Sequence, residues 1–87
     1  MEIEEAARKE LDRMQAVIGE VKPLNEKGDE ILQLAKSYLT DANYFYEKKK
    51  FLEAFEAAVI AWAYIDAGLH LKLFKVPTSM KKIFTAL

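Results

Sequence analysis

The segment AFEAAVIAWAYIDAGLHL, positions 54–71, constrains this chain more than any other part of it. It is almost wholly apolar, yet Asp66 stands inside it and His70 follows one helical turn later. Alanine recurs at 54, 57, 58, 61, 63 and 67. Alanine is the best helix former, and its small side chain lets helix backbones approach closely. The run is broken by Asp66, follows Glu53 and Glu56, and is shorter than a bilayer span requires. It therefore reads as a core helix that other helices must cover, with no membrane partner expected. A polar pair in such a segment looks buried, and any chemistry or recognition is first sought there.

The rest of the chain must supply that cover with few residues. Its 87 residues make one domain with a modest core, reinforced by five Phe, four Tyr and one Trp. There is no cysteine, so disulfides and thiolate–metal sites are excluded, and cytoplasmic residence is expected. The acidic, amphipathic start MEIEEAARKELD is the opposite of a basic leader, so no signal peptide is expected. A net charge of −1 conceals a gradient: acids prevail in the first third, while residues 67–87 hold four lysines and no acid. Such a gradient can steer a partner or pair two protomers, although a solvated surface with a lysine-dotted tail is the stronger reading.

Periodicity predicts an all-α, three-helix up-and-down bundle: helices at about 3–21, 30–47 and 51–74, then a tail at 77–87. In the first helix Ile3, Ala7, Leu11, Met14, Ile18 and Val21 are spaced alternately by four and three. Gly19 weakens its end and Pro23 stops it. Asn25 and Asp29 are both candidate N-caps for the second helix, with Gly28 favouring the later one. That helix presents Ile31, Leu34, Ala35, Tyr38, Leu39, Ala42, Phe45 and Tyr46. The break before the third helix has no Gly or Pro and falls near Glu47–Lys50. A single helix over 30–74 would run about 65 Å, too long for the remaining chain to cover, so a hairpin is required. On the third helix Phe55, Ala58, Val59, Trp62, Ile65 and Leu69 form the expected main stripe. In the tail SMKKIFTAL, Met80, Ile83, Phe84 and Leu87 suit a short amphipathic helix, docked or frayed.

Few residues can carry chemistry. Asp66 and His70 share a helix face, so the carboxylate could fix an imidazole tautomer, as in general-base pairs. The same i,i+4 pair is common as plain helix chemistry near a C-terminus, and that structural reading is the stronger. Asp41 lies about three turns from Asp66 along the hairpin, too far for a bridging metal pair. No helix carries the Glu and Glu-x-x-His pattern of di-metal bundles, so neither a metal nor a cofactor is expected. Position 38 lies roughly opposite 60 across the hairpin and a tyrosine reaches about a turn, so Tyr38 joins the polar candidates as a prospective partner for Asp66. Tyr44 and Tyr64 fall off the main stripes and are candidates for protein or ligand contact. Lys48, Lys49 and Lys50 mark the hairpin tip; Lys72, Lys75, Lys81 and Lys82 mark the opposite end. The two clusters form no continuous stripe and arginine is scarce, which leaves nucleic acid a weakly supported partner. No phosphate loop or acyl-transfer signature occurs, so an enzyme is the weaker reading.

The stretch 38–71 resembles a small, mainly archaeal family known as a domain of unknown function, number 357. Its Tyr-x-x-Asp-Ala-x-x-Phe pattern is matched by Tyr38, Asp41, Ala42 and Phe45. Its Ala-Phe…Ala…Leu-Asp-Ala-Gly pattern is matched by Ala54, Phe55, Ala61 or Ala63, Asp66, Ala67 and Gly68, with Ile65 in place of Leu. Family members often have a glycine in the turn, where this chain has Lys48–Lys50. The resemblance implies a three-helix bundle of the albumin-binding-domain-like type and no assigned activity. The same stretch is also similar to a single tetratricopeptide hairpin, which alone cannot form the groove of a repeat array. Together these readings point to an interaction or accessory module, self-associating or bound to a protein partner. A ligand binder or enzyme using Asp66 and His70 is one alternative; a nucleic-acid helper using the lysines is another.

Overall fold

Three helices form because each carries one apolar line that must be covered. A computed structural model describes residues 2–84. Helix α1 (Glu2–Ile18) buries Ala7, Leu11, Met14 and Val17. Helix α2 (Glu26–Glu47) buries Leu32, Ala35, Leu39 and Ala42, along with Gly28. Helix α3 (Phe51–His70) buries Ala54, Ala57, Ala58, Ala61, Ile65, Gly68 and Leu69. Leu11, Met14 and Ile65 are the largest wholly enclosed side chains. Each such residue contributes about 2–3 kcal/mol of apolar burial. Helix α3 packs on both other helices, whereas α1 and α2 touch each other least. The result is an all-α bundle of 38 × 24 × 16 Å with α3 as its central element.

The buried line of α3 differs from the expected stripe. Val59 is exposed, and Phe55 and Trp62 are only half-buried. Ala58, Ile65 and Leu69 are buried as expected, and Ala54, Ala57 and Ala61 take the other core positions. Where two helices converge on a third, small side chains allow closer backbone packing than aromatic rings do. On α2, likewise, Leu34 is exposed and Leu32 takes the interior position.

Both long helices end in the same way. Lys49 (φ 62°) and Lys72 (φ 60°) adopt the left-handed conformation just past α2 and α3. After α2, the Lys50 N–H donates to the Phe45 carbonyl at 2.9 Å and the Lys49 N–H to the Tyr46 carbonyl at 3.0 Å. After α3, the Leu73 N–H donates to the Gly68 carbonyl at 2.8 Å and the Lys72 N–H to the Leu69 carbonyl at 3.1 Å. This pair of bonds is the Schellman motif, which satisfies carbonyls left open at a helix end. It creates the hairpin break where the sequence has neither Gly nor Pro. It also ends α3 at His70, short of the expected 74, and α1 likewise stops at Ile18, before the expected 21.

The released chain then does something hydrophobic periodicity does not foretell. Strand β1 (Lys22–Pro23) pairs antiparallel with β2 (Phe74–Lys75), matching Lys22 to Lys75 and Pro23 to Phe74. The Leu24 N–H extends the ribbon by donating to the Leu73 carbonyl at 2.9 Å. The ribbon closes the end of the bundle where the α1–α2 connection meets the segment after α3. Phe74 of the ribbon is buried, as are Val21 and Val76 next to it in sequence. Helix α2 begins at Asn25, whose side-chain oxygen accepts the Gly28 N–H at 2.9 Å. This settles the choice of caps against Asp29, and α2 starts four residues before the expected 30. Gly28 has a separate role, since a Cβ there would collide with the Leu73 carbonyl.

After Pro77, a 3₁₀ segment (Thr78–Ile83) replaces the expected amphipathic helix. Met80 is half-buried against the core and Phe84 is buried, while Ile83 is exposed. Leu87, the last member of that expected face, lies outside the described residues. Phe84 stacks on Trp62 with ring centroids 4.6 Å apart and planes 13° from parallel.

Candidate functional site

The polar residues of α3 are less enclosed than their neighbours suggest. Among the described residues no polar or charged side chain is buried. Asp66 is half-buried and makes a polar or electrostatic contact; His70, the last residue of α3, is exposed. The sequence reading of a polar pair enclosed in the core is therefore corrected. The 100° turn between successive helical residues places positions 66 and 70 beside the line occupied by Val59 and Ala63, away from Ile65 and Leu69. An apolar sequence on all sides of α3 does not make all sides interior.

The tyrosines and lysines sort by position. Tyr38 and Tyr64 are half-buried and stack across the α2–α3 hairpin, with centroids 5.7 Å apart and planes 24° from parallel. Tyr44 is exposed, edge-on to Phe45, with the Lys48 Nζ 5.7 Å from its ring centroid. Asp41 is exposed on α2, and Lys48, Lys49 and Lys50 are exposed at the hairpin tip. Lys72, Lys75 and Lys81 come together around one cleft of about 330 Å³, beside Leu24 and Phe74. A broader depression of about 540 Å³ on α1 is lined mainly by charged side chains, including the Arg8–Asp12 pair at 2.8 Å. Among the described residues, no group of three or more His, Asp or Glu is placed to hold a metal ion. No described helix is long and apolar enough to cross a membrane.

The outer face of α3 stands apart from these features. Leu52, Val59 and Ile60 are 56%, 40% and 40% exposed, and Leu71 just beyond the helix is 65% exposed. Ala63 and Ala67 are exposed between them. Ile60, Ala63, Tyr64 and Ala67 line a shallow, largely apolar depression of about 320 Å³. These four positions are i, i+3, i+4 and i+7, the set that forms a hole for a side chain of a facing helix. The sequence signal for this face was the apolar character of α3 beyond one stripe; its location required the packing of α1 and α2 to be known.

Architecture and surface together define a small all-α bundle, with a ribbon-closed end and an uncovered apolar helix face. The chain belongs to the family described as Protein of unknown function (DUF357), whose profile matches residues 4–74. Its fold is similar to that of protein AF1782 from Archaeoglobus fulgidus, a member of the same family known from a crystal structure. The two are 26% identical, with a TM-score of 0.78, over 87% of this chain and 95% of the other. No functionally curated protein matches the chain.

Proposed function

We propose that this chain is a cytoplasmic helical interaction or accessory module that makes its protein contacts through the outer face of α3. One observation carries the reading: Leu52, Val59, Ile60 and Leu71 lie exposed along α3 and its end, with a shallow apolar depression among Ile60, Ala63, Tyr64 and Ala67. Contiguous apolar surface of this kind marks interaction sites, whereas single exposed apolar residues are ordinary. Self-association is the first contact expected of it. The enzyme or ligand-binding alternative is less supported, because the clefts on α1, beside the lysines and on α3 are lined by residues other than Asp66 and His70. A pH-dependent ligand effect lost in Asp66→Asn would favour that alternative.

The test is site-specific photo-crosslinking in the native cell, with a photoreactive residue at Ala63 and a control at the exposed Lys36 of α2. The adducts are identified by mass spectrometry. A defined protein adduct from position 63, absent from position 36, supports the module. No adduct from position 63 overturns it. The lysine cleft favours a second reading, weak contact with a polyanion through Lys72, Lys75 and Lys81. Its mark is binding to single-stranded RNA that falls steeply as salt rises.

A further inference from the structure

We infer that the occupant of the α3 face is the α3 helix of a second copy, packed antiparallel about a two-fold axis at Ala63. This rests on the interaction-module reading above and adds the partner and the register. Near the middle line of the face stand Glu56 and His70, both exposed, with the half-buried Asp66 at its edge. Glu56 and His70 each stand seven positions from Ala63, one on either side. At the helical rise per residue, both are about 10.5 Å from the proposed axis. A two-fold there sets Glu56 against His70 of the second copy, and His70 against Glu56 of the second copy. A carboxylate meets an imidazole twice, and at these two positions no carboxylate meets a carboxylate. An isologous interface requires this property, since residue i meets j and j meets i.

The apolar positions agree with the same register. Ala63, a small side chain, lies where the two helices come closest. Val59 falls opposite Ala67 of the second copy, a larger side chain against a smaller one. The depression lined by Ile60, Ala63, Tyr64 and Ala67 accepts a branched aliphatic side chain, and the same face supplies Val59 and Ile60. A parallel pairing would set Glu56 against Glu56, which like charge opposes.

Sedimentation equilibrium of the whole chain over a range of concentrations tests this, with circular dichroism to confirm that each variant is folded. The wild-type chain is expected to reach twice its 10.0 kDa mass. Ala63→Glu, at an exposed position, is expected to remain folded and monomeric. His70→Glu, which sets an introduced carboxylate against Glu56 of the second copy, is expected to weaken the dimer at least about tenfold. The exchange of both, Glu56→Lys with His70→Glu, is expected to restore it. A wild-type chain that stays monomeric overturns the inference. So does a dimer that survives Ala63→Glu, or one that the double exchange fails to restore. If the chain is monomeric while position 63 crosslinks to a different protein in the cell, the module stands and the second copy is excluded. If position 63 crosslinks to nothing, both fall.

Discussion

The ring of Phe74 occupies the space that a Cβ on Gly68 would fill. Gly68 is buried in the last turn of α3, and Phe74 is buried in β2 after the chain has reversed. The glycine of the Asp-Ala-Gly stretch thus has a packing reason. It lets the strand that follows α3 fold back against the helix it has just left.

That relationship predicts the effect of Gly68→Ala. Overpacking against the Phe74 ring costs about 1–3 kcal/mol, against a helix-propensity gain of about 1 kcal/mol. A net loss of up to about 2 kcal/mol is expected in urea unfolding. In a Phe74→Ala background the clash is gone, so the same substitution is expected to be neutral or stabilising. A double-mutant cycle without coupling between the two positions would contradict this account.

Lys49 sits at a position that glycine suits better. A non-glycine residue in the left-handed region costs about 1–2 kcal/mol, while glycine loses about 0.4–1 kcal/mol more chain entropy on folding. Lys49→Gly is therefore expected to stabilise the protein by about 0.5–1 kcal/mol, seen as a higher urea midpoint at unchanged slope. Lys72→Gly is expected to act in the same direction.

Asn25 and Asp29 can be separated by the same measurement. Asn25→Ala removes the acceptor for the Gly28 N–H and is expected to cost about 1 kcal/mol. Asp29→Ala leaves the cap intact and removes only an acid from the first turn of α2, for a cost of about 0.3 kcal/mol. A reversed order of effects would show that the helix begins elsewhere.

Trp62, the single tryptophan, reports on the tail. Phe84 stacks on it, and the Arg13 guanidinium lies 3.5 Å from its ring centroid. Phe84→Ala is expected to cost about 3 kcal/mol and to shift tryptophan emission to the red as water reaches the indole. Arg13→Ala, which removes a partly exposed cation–π contact, is expected to cost about 0.5–1 kcal/mol. Unchanged emission in Phe84→Ala would show that the tail leaves Trp62 in solution.

Much of the bundle could be read from local patterns. The four-and-three spacing of Ala7, Leu11 and Met14 marked the buried side of α1, because a helix with that spacing has one dry face. The EKKK run located the hairpin tip, because a charged stretch of that kind cannot continue the core. The caps were harder. Asn25 and Asp29 look alike in sequence, and Gly28, which pointed to the later one, instead serves the close approach of the Leu73 carbonyl. The candidate surface was legible only in outline. Its composition stood in the sequence, but Val59 was placed inside and Asp66 was taken for a buried group.

The helices, their number and the position of the turn between α2 and α3 follow from the order of residues alone. Those features arise from propensities and periodicities acting over a few residues. Which side of α3 is interior was settled only by packing, because an apolar helix has no preferred side until its neighbours converge on one. Packing likewise set the two-residue ribbon and the reversal of Phe74 onto Gly68. Such contacts join residues distant in sequence, and their energy exists only when the chain has closed on itself.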